Sequence, residues 1–146
     1  MKDFLLPHYY KIIGGIMLLI GIVLAILYLK FDINFTIPVF ALVSIFLETK
    51  YFVLTKTNSM DEIIMILLLL GLVLLVFSKE KYEKEFFTVL REKALAKACI
   101  VNSFFTLFSI IFIYGGGFIG VLIFNLYSVF IFYILFFYLS LKKSRL

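Results

Sequence analysis

Four runs of this chain, 12–29, 63–77, 98–114 and 118–141, contain no Asp, Glu, Lys or Arg. Few architectures accept that. A helix on the surface of a soluble domain keeps a polar flank, whereas uncharged runs near the ~20 residues that cross a bilayer core read as transmembrane helices. Composition agrees, with 64% hydrophobic and 16% charged residues against roughly 45–50% and 25% in soluble domains. The expected fold class is an all-α membrane protein with four transmembrane helices, at about 12–29, 60–78, 95–114 and 118–141. The chain is expected to form a single integral membrane domain over 1–146.

Between the first two runs, residues 33–55 are apolar but interrupted. Pro38 sits inside the run, and Glu48 and Lys50 close it. Val, Ile, Phe and Thr dominate on both sides of a polar Glu48–Thr49–Lys50 corner, which favours two strands of a small extracytoplasmic β-hairpin. An interfacial helix or a re-entrant segment is the alternative. Ser59-x-x-Glu62 then has the form of a capping box at the start of the second span. In the first span, Gly14, Leu18, Gly21 and Ala25 share a helix face, and small residues on such a face let a second helix approach closely. Small residues also scatter through spans with no such role. The Gly115–Gly116–Gly117 triplet marks a tight corner between spans 3 and 4.

Charge is concentrated in 79–97. Six basic residues (Lys79, Lys81, Lys84, Arg91, Lys93, Lys97) lie there with four acidic ones (Glu80, Glu83, Glu85, Glu92). Four spans place 11 of the 14 Lys and Arg residues on one side, and short positive loops stay in the cytoplasm. The expectation is a multi-pass protein of the bacterial cytoplasmic (inner) membrane with both terminal segments cytoplasmic. On a helical projection 79–97 forms a cytoplasmic amphipathic helix, lying in the inner headgroup layer, folding back on the cytoplasmic ends of the spans, or serving as a docking surface for a soluble partner.

Catalysis finds no foothold. The sequence offers no nucleophile with a base, no carboxylate pair and no metal-ligand spacing, so no catalytic residue, cofactor or metal is expected. The lone Cys99 has no second thiol, and the only histidine, His8, reads as an interfacial tail residue. The net charge of +5 is spread beside the spans, which points to membrane orientation rather than direct nucleic-acid binding. Polar side chains inside the spans are few. Thr106 and Asn125 stand ten and nine residues from Gly116, so at ~1.5 Å per residue they reach nearly equal depth in a helical hairpin. Asn102, Thr106 and Asn125 are the candidate interhelical polar contacts. Phe86, Leu90, Arg91 and Lys84 are the candidate partner-binding residues. On a helix, Arg91 has Phe87, Thr88, Ala94 and Leu95 as its neighbours at three and four residues, so it must find its partner elsewhere: a lipid phosphate, Asp3, the C-terminal carboxylate or an acidic surface on another protein.

The pattern Glu85-Phe86-x-x-x-Leu90-Arg91-x-Lys93-Ala94-Leu95-x-x-Ala98-x-x-Val101-Asn102, entering a span that turns at a Gly-rich corner, resembles a group of uncharacterised small bacterial four-span membrane proteins. These carry an E-x-x-x-x-[IL]-R motif after span 2 and are often encoded beside helix-turn-helix regulators. The resemblance covers roughly 58–140, leaves out 31–57 and carries no catalytic residues. It implies a membrane partner or signal-responsive anchor for a regulator, with Arg91 at the matching position. The expected function is thus a non-enzymatic membrane protein that binds a cytoplasmic regulator or a membrane protein through helix 79–97. The alternative is a small oligomeric pore or transporter subunit. The bilayer is the remaining partner, and assembly as a homo-oligomer is open.

Overall fold

The computed structural model describes residues 5–31, 35–45, 49–82 and 85–144. Their order is α1 (Tyr9–Phe31), β1 (Thr36–Ile45), β2 (Thr49–Asn58), α2 (Met60–Val76), α3 (Glu85–Phe112) and α4 (Gly116–Ser144). Three of the helices, α1, α3 and α4, are long and apolar enough to cross a membrane. Their outward flanks carry fully apolar side chains such as Leu19, Leu29, Phe104, Phe112 and Ile119, all exposed. Bare surfaces of this kind suit a hydrocarbon solvent. The second helix is shorter than the span expected over 60–78: its 17 residues measure about 25 Å.

The helices form two antiparallel pairs, α1 with α2 and α3 with α4, and α2 meets α4 more sparsely. Glycine brings the first pair together. A Cβ at Gly14 would stand 2.7 Å from Leu74 Cβ and 2.9 Å from the Gly71 carbonyl oxygen, and one at Gly71 would stand 2.9 Å from Leu18 N. Gly21 meets Leu68 in the same way, at 3.0 Å. The face of Gly14, Leu18 and Gly21 is therefore the contact face, and Gly71 on the opposing helix completes it.

β1 and β2 pair antiparallel, from Thr36 opposite Asn58 to Ile45 opposite Thr49. Both strands run further than the short runs in 33–55 require, and β2 continues to Asn58. The base of this hairpin is tied to the helices by one side chain. Asn58 Oδ1 accepts from Phe35 N at 3.0 Å and from Met60 N at 3.3 Å, while its Nδ2 donates to Tyr28 Oη at 3.3 Å. The capping box does not form. Ser59 is the N-cap of α2 but makes no side-chain cap bond, and its buried hydroxyl has no partner. Asn58 reaches the first turn instead, because its longer amide spans the gap that the Ser59 hydroxyl does not.

A separate inner helix over 79–97 is likewise absent. Residues 85–97 are the opening turns of α3, which runs unbroken to Phe112. No Gly or Pro interrupts that stretch, and Ala94, Leu95, Ala96 and Ala98 are strong helix formers. Residues 77–80 lie outside any helix because Ser78 joins Leu6 in a parallel bridge, with Leu6 N donating to Phe77 O at 2.8 Å and Lys79 N to Leu6 O at 2.9 Å. Glu80 thus has no helical spacing to Lys84. At the far corner only Gly115 takes a left-handed conformation, at φ 70°, and α4 starts directly after it.

The glycine seam yields a paired test. Gly14→Val should destabilise the detergent-solubilised protein by roughly 1–3 kcal/mol through overpacking. Gly15→Ala, at a position where an added Cβ meets nothing within 4 Å, should leave the thermal midpoint unchanged or slightly raised. Equal midpoints for Gly14→Val and wild type would show that α1 and α2 do not need this contact.

Candidate functional site at the basic end of the bundle

The C-terminus of α2 ends in carbonyl groups that the helix itself cannot satisfy. Other parts of the chain meet them one by one. Phe77 N donates to Val73 O at 2.9 Å, Ser78 Oγ donates to Leu74 O, and Leu6 N takes Phe77 O. His8 Nδ1 lies 3.0 Å from Lys79 O and donates to it. The deepest pair of carbonyls belongs to Arg91, whose Nη1 donates to Val76 O and whose Nη2 donates to Ser78 O, both at 3.2 Å.

Arg91 is 2% exposed. Its Nη1 also lies 3.4 Å from Tyr133 Oη, and its guanidinium carbon stands 4.7 Å from the centre of the Phe137 ring. A planar guanidinium can bond in its plane and stack on its face at once, which an ammonium cannot. This one side chain therefore joins α2, α3 and α4. Around it Val76, Phe87, Ala94, Ala98, Tyr133, Phe137 and Leu141 form the buried core of this end. Phe87 meets Phe137 edge-on, and Tyr133 stacks with Phe137 at 6.0 Å between centroids.

The candidate partner-binding residues are thus divided. Arg91 faces inward and is a structural clamp, a correction to its expected place on a docking surface. Leu90 is half-buried against the core, Phe86 is 42% exposed, and Lys84 lies outside the described residues. The buried stripe of α3 runs Phe87, Arg91, Ala94, Ala98, so the inward face contains the arginine that a hydrophobic projection assigns to the outside. Cys99 is exposed.

A second set of polar groups at this end was not legible as a site. Lys11 forms an ion pair with Glu80 Oε1 and lies 5.1 Å from the centre of the Tyr138 ring, while Tyr138 Oη donates to Glu80 at 3.4 Å. Lys11, Glu80, Arg91, Tyr133 and Tyr138 line a cavity of about 190 Å³. Beside it a cleft of about 470 Å³ carries Lys81, Tyr82 and Lys142, and shares Glu80 and Tyr138 with the cavity. Opposite charges at the edges of two expected spans, Lys11 and Glu80, were the available sequence signal, but 69 residues separate them.

Deeper between α3 and α4, the three candidate polar contacts do come together. Asn102 Nδ2 donates to Asn125 Oδ1 at 3.2 Å, Asn125 Nδ2 donates to Thr106 Oγ1, and Thr106 Oγ1 donates to Asn102 O at 2.8 Å. Ser128 Oγ joins them by donating to Asn102 Oδ1. Ser109 and Ser103 bond to carbonyls one turn back, of Phe105 and Cys99, at 2.8 Å. No family model, no curated protein and no solved structure matches this chain.

Two outcomes are expected from these contacts. Arg91→Leu leaves Val76 O and Ser78 O without this donor, so melting of the solubilised protein should fall by about 1–3 kcal/mol for each orphaned carbonyl. Arg91→Lys should recover only part of that, and a wild-type melting curve for Arg91→Leu would remove the clamp. In the polar cluster, Asn125→Leu should cost on the order of 1 kcal/mol and Thr106→Val little more once Asn125 is gone. Fully additive losses would show that the bond between them carries no energy.

Proposed function

We propose that the chain is a non-enzymatic membrane protein whose four helices all cross a bacterial cytoplasmic membrane, with both terminal segments cytoplasmic, and that it docks another protein on the exposed flank of α3. The observation that carries this reading is the length of α3. Its 28 residues exceed the ~20 that a bilayer core needs, so about two turns at its N-terminus project past the hydrocarbon. On that projecting part Phe86 and Val89 are exposed, and Glu92, Lys93 and Lys97 follow on the outer side. An apolar pair bordered by lysines suits an acidic soluble partner with a small hydrophobic anchor. The resemblance to proteins encoded beside helix-turn-helix regulators makes a cytoplasmic regulator the natural candidate.

The distribution of basic residues supports the topology. Lys11, Lys79, Lys81, Arg91, Lys93, Lys97, Lys142 and Lys143 belong to the end that holds the start of α1, the end of α2, the start of α3 and the end of α4. Positive segments of this kind stay inside. The pore reading draws less support, because Asn102, Thr106, Asn125 and Ser128 are bonded to one another and leave no free polar stripe of their own for a solute.

The test places a photo-crosslinking residue at Val89 and, as a bilayer-facing control, at Ile123, which is also exposed. A soluble protein should be captured from position 89 alone, and capture should fall at least about tenfold when Lys93→Glu and Lys97→Glu reverse the charge beside it. Identical capture from both positions, or capture indifferent to charge reversal, would overturn the docking reading. A cytoplasm-only reporter that works near Asn58 and fails after Leu146 would overturn the topology.

A further inference from the structure

The polar cavity at the basic end adjoins an apolar groove. That groove has a volume of about 500 Å³ and runs between α1, α2 and α4, lined among others by Ile22, Leu68, Leu72, Phe124 and Ile131. Leu75 and Ile134 belong to both the groove and the cavity of Lys11, Arg91 and Tyr133. The groove exists because α2 and α4 meet sparsely while each packs closely on its own partner. It offers almost nothing polar, whereas the cavity and its neighbouring cleft bring Lys11, Arg91, Lys81 and Lys142 around a single described carboxylate, Glu80.

The geometry points to a binding site for one anionic glycerophospholipid, with its headgroup in the Lys11–Tyr138 cavity and an acyl chain in the α1–α2–α4 groove. This goes beyond protein docking on α3 and uses a different face; it rests on the membrane reading. Three independent features converge on it. Depth is the first: α4 has 29 residues, so its last two turns, with Tyr138, Leu141 and Lys142, stand past a ~20-residue hydrocarbon span, at the level where phosphates lie. Sign is the second, since among the described residues the lysines Lys11, Lys81 and Lys142 line the cavity and cleft with one carboxylate, and such an excess favours a ligand with net negative charge. Polarity is the third. A charged cavity that shares two wall residues with a dry groove matches a ligand that is ionic at one end and hydrocarbon at the other, and neither inorganic phosphate nor a neutral diglyceride has both.

Recognition follows from the groups present. Lys11 lines the cavity over the Tyr138 ring, and an ammonium there can leave Glu80 for a phosphate without moving its helix. Arg91, held by Val76 O and Ser78 O, supplies a fixed positive wall. Tyr133 and Tyr138 carry hydroxyls suited to phosphate or glycerol oxygens, since a phenol both donates and accepts.

The experiment uses the full chain, purified in a mild detergent and titrated with four probes while bound mass is read by native mass spectrometry. The probes are dioleoyl phosphatidylglycerol, dioleoyl phosphatidylcholine, dioleoylglycerol and glycerol phosphate. The anionic lipid should bind at least about tenfold more tightly than each of the other three. Lys11→Gln and Lys142→Gln should each weaken it several-fold, and because Lys142 is exposed that variant tests the site even where Lys11→Gln disturbs the fold. Ile131→Trp, at an exposed position on the groove wall, should fill the groove and weaken binding about tenfold. Equal binding of phosphatidylcholine removes the charge argument, and equal binding of glycerol phosphate makes the cavity a free-phosphate site. Unchanged affinity in Ile131→Trp, or a dimer whose second copy closes the groove and excludes lipid, also overturns the proposal.

Discussion

The end of a helix inside or beside a bilayer is a hazard, because the last carbonyls have neither a helical partner nor bulk water. At the C-terminus of α2 that hazard becomes the organising contact of the molecule. Carbonyls from Val73 to Lys79 are taken by donors from three places: the turn itself, the 5–8 segment through Leu6 N and the His8 ring, and Arg91. Each donor fixes the position of its own segment. The 5–8 segment, the loop after α2 and the start of α3 are held at one end because they converge on the same backbone groups, and the end of α4 joins them through the contacts of Tyr133 and Phe137 with Arg91.

The two helix pairs meet by different physics. Between α1 and α2, three glycines remove side chains so that backbones approach to contact distance, and the attraction is dispersion along a close seam. Between α3 and α4 the middle is joined by hydrogen bonds among Asn102, Thr106, Asn125 and Ser128, and the basic end by Ala94 and Ala98 under the Phe137 stack. Among the described residues no comparable device joins α2 to α4 over most of their length, apart from Tyr127 Oη donating to Met65 O at 3.1 Å. Two tight pairs with a loose junction leave an open groove, and the clamp at Arg91 closes only its basic end.

Several features were readable because they depend on one helix or one symmetric relation. The glycine face of α1 follows from spacing alone. The meeting of Thr106 with Asn125 follows from equal distance to a corner, which is a property of any antiparallel pair with constant rise. Asn58, Gly71 and Ser128 were not readable, since each acts on a partner whose position depends on how the elements dock.

Arg91 shows where the boundary falls. Its charge and its lack of a carboxylate at helical spacing are properties of the sequence, and they require a partner from outside its own helix. A hydrophobic projection places such a residue outward, because burying a charge is costly unless it is bonded. What reverses the placement is the end of α2, whose unsatisfied carbonyls and the nearby Phe137 ring make the interior the better solvent for a guanidinium than the headgroup layer. Apolar runs and their punctuation are set residue by residue, so the sequence by itself determines α1, α3 and α4, the three helices long and apolar enough to cross a membrane. The inward turn of Arg91, the Lys11–Glu80 pair and the cavity between them exist only after docking, because they join residues 13 to 69 positions apart through the unpaired ends of helices.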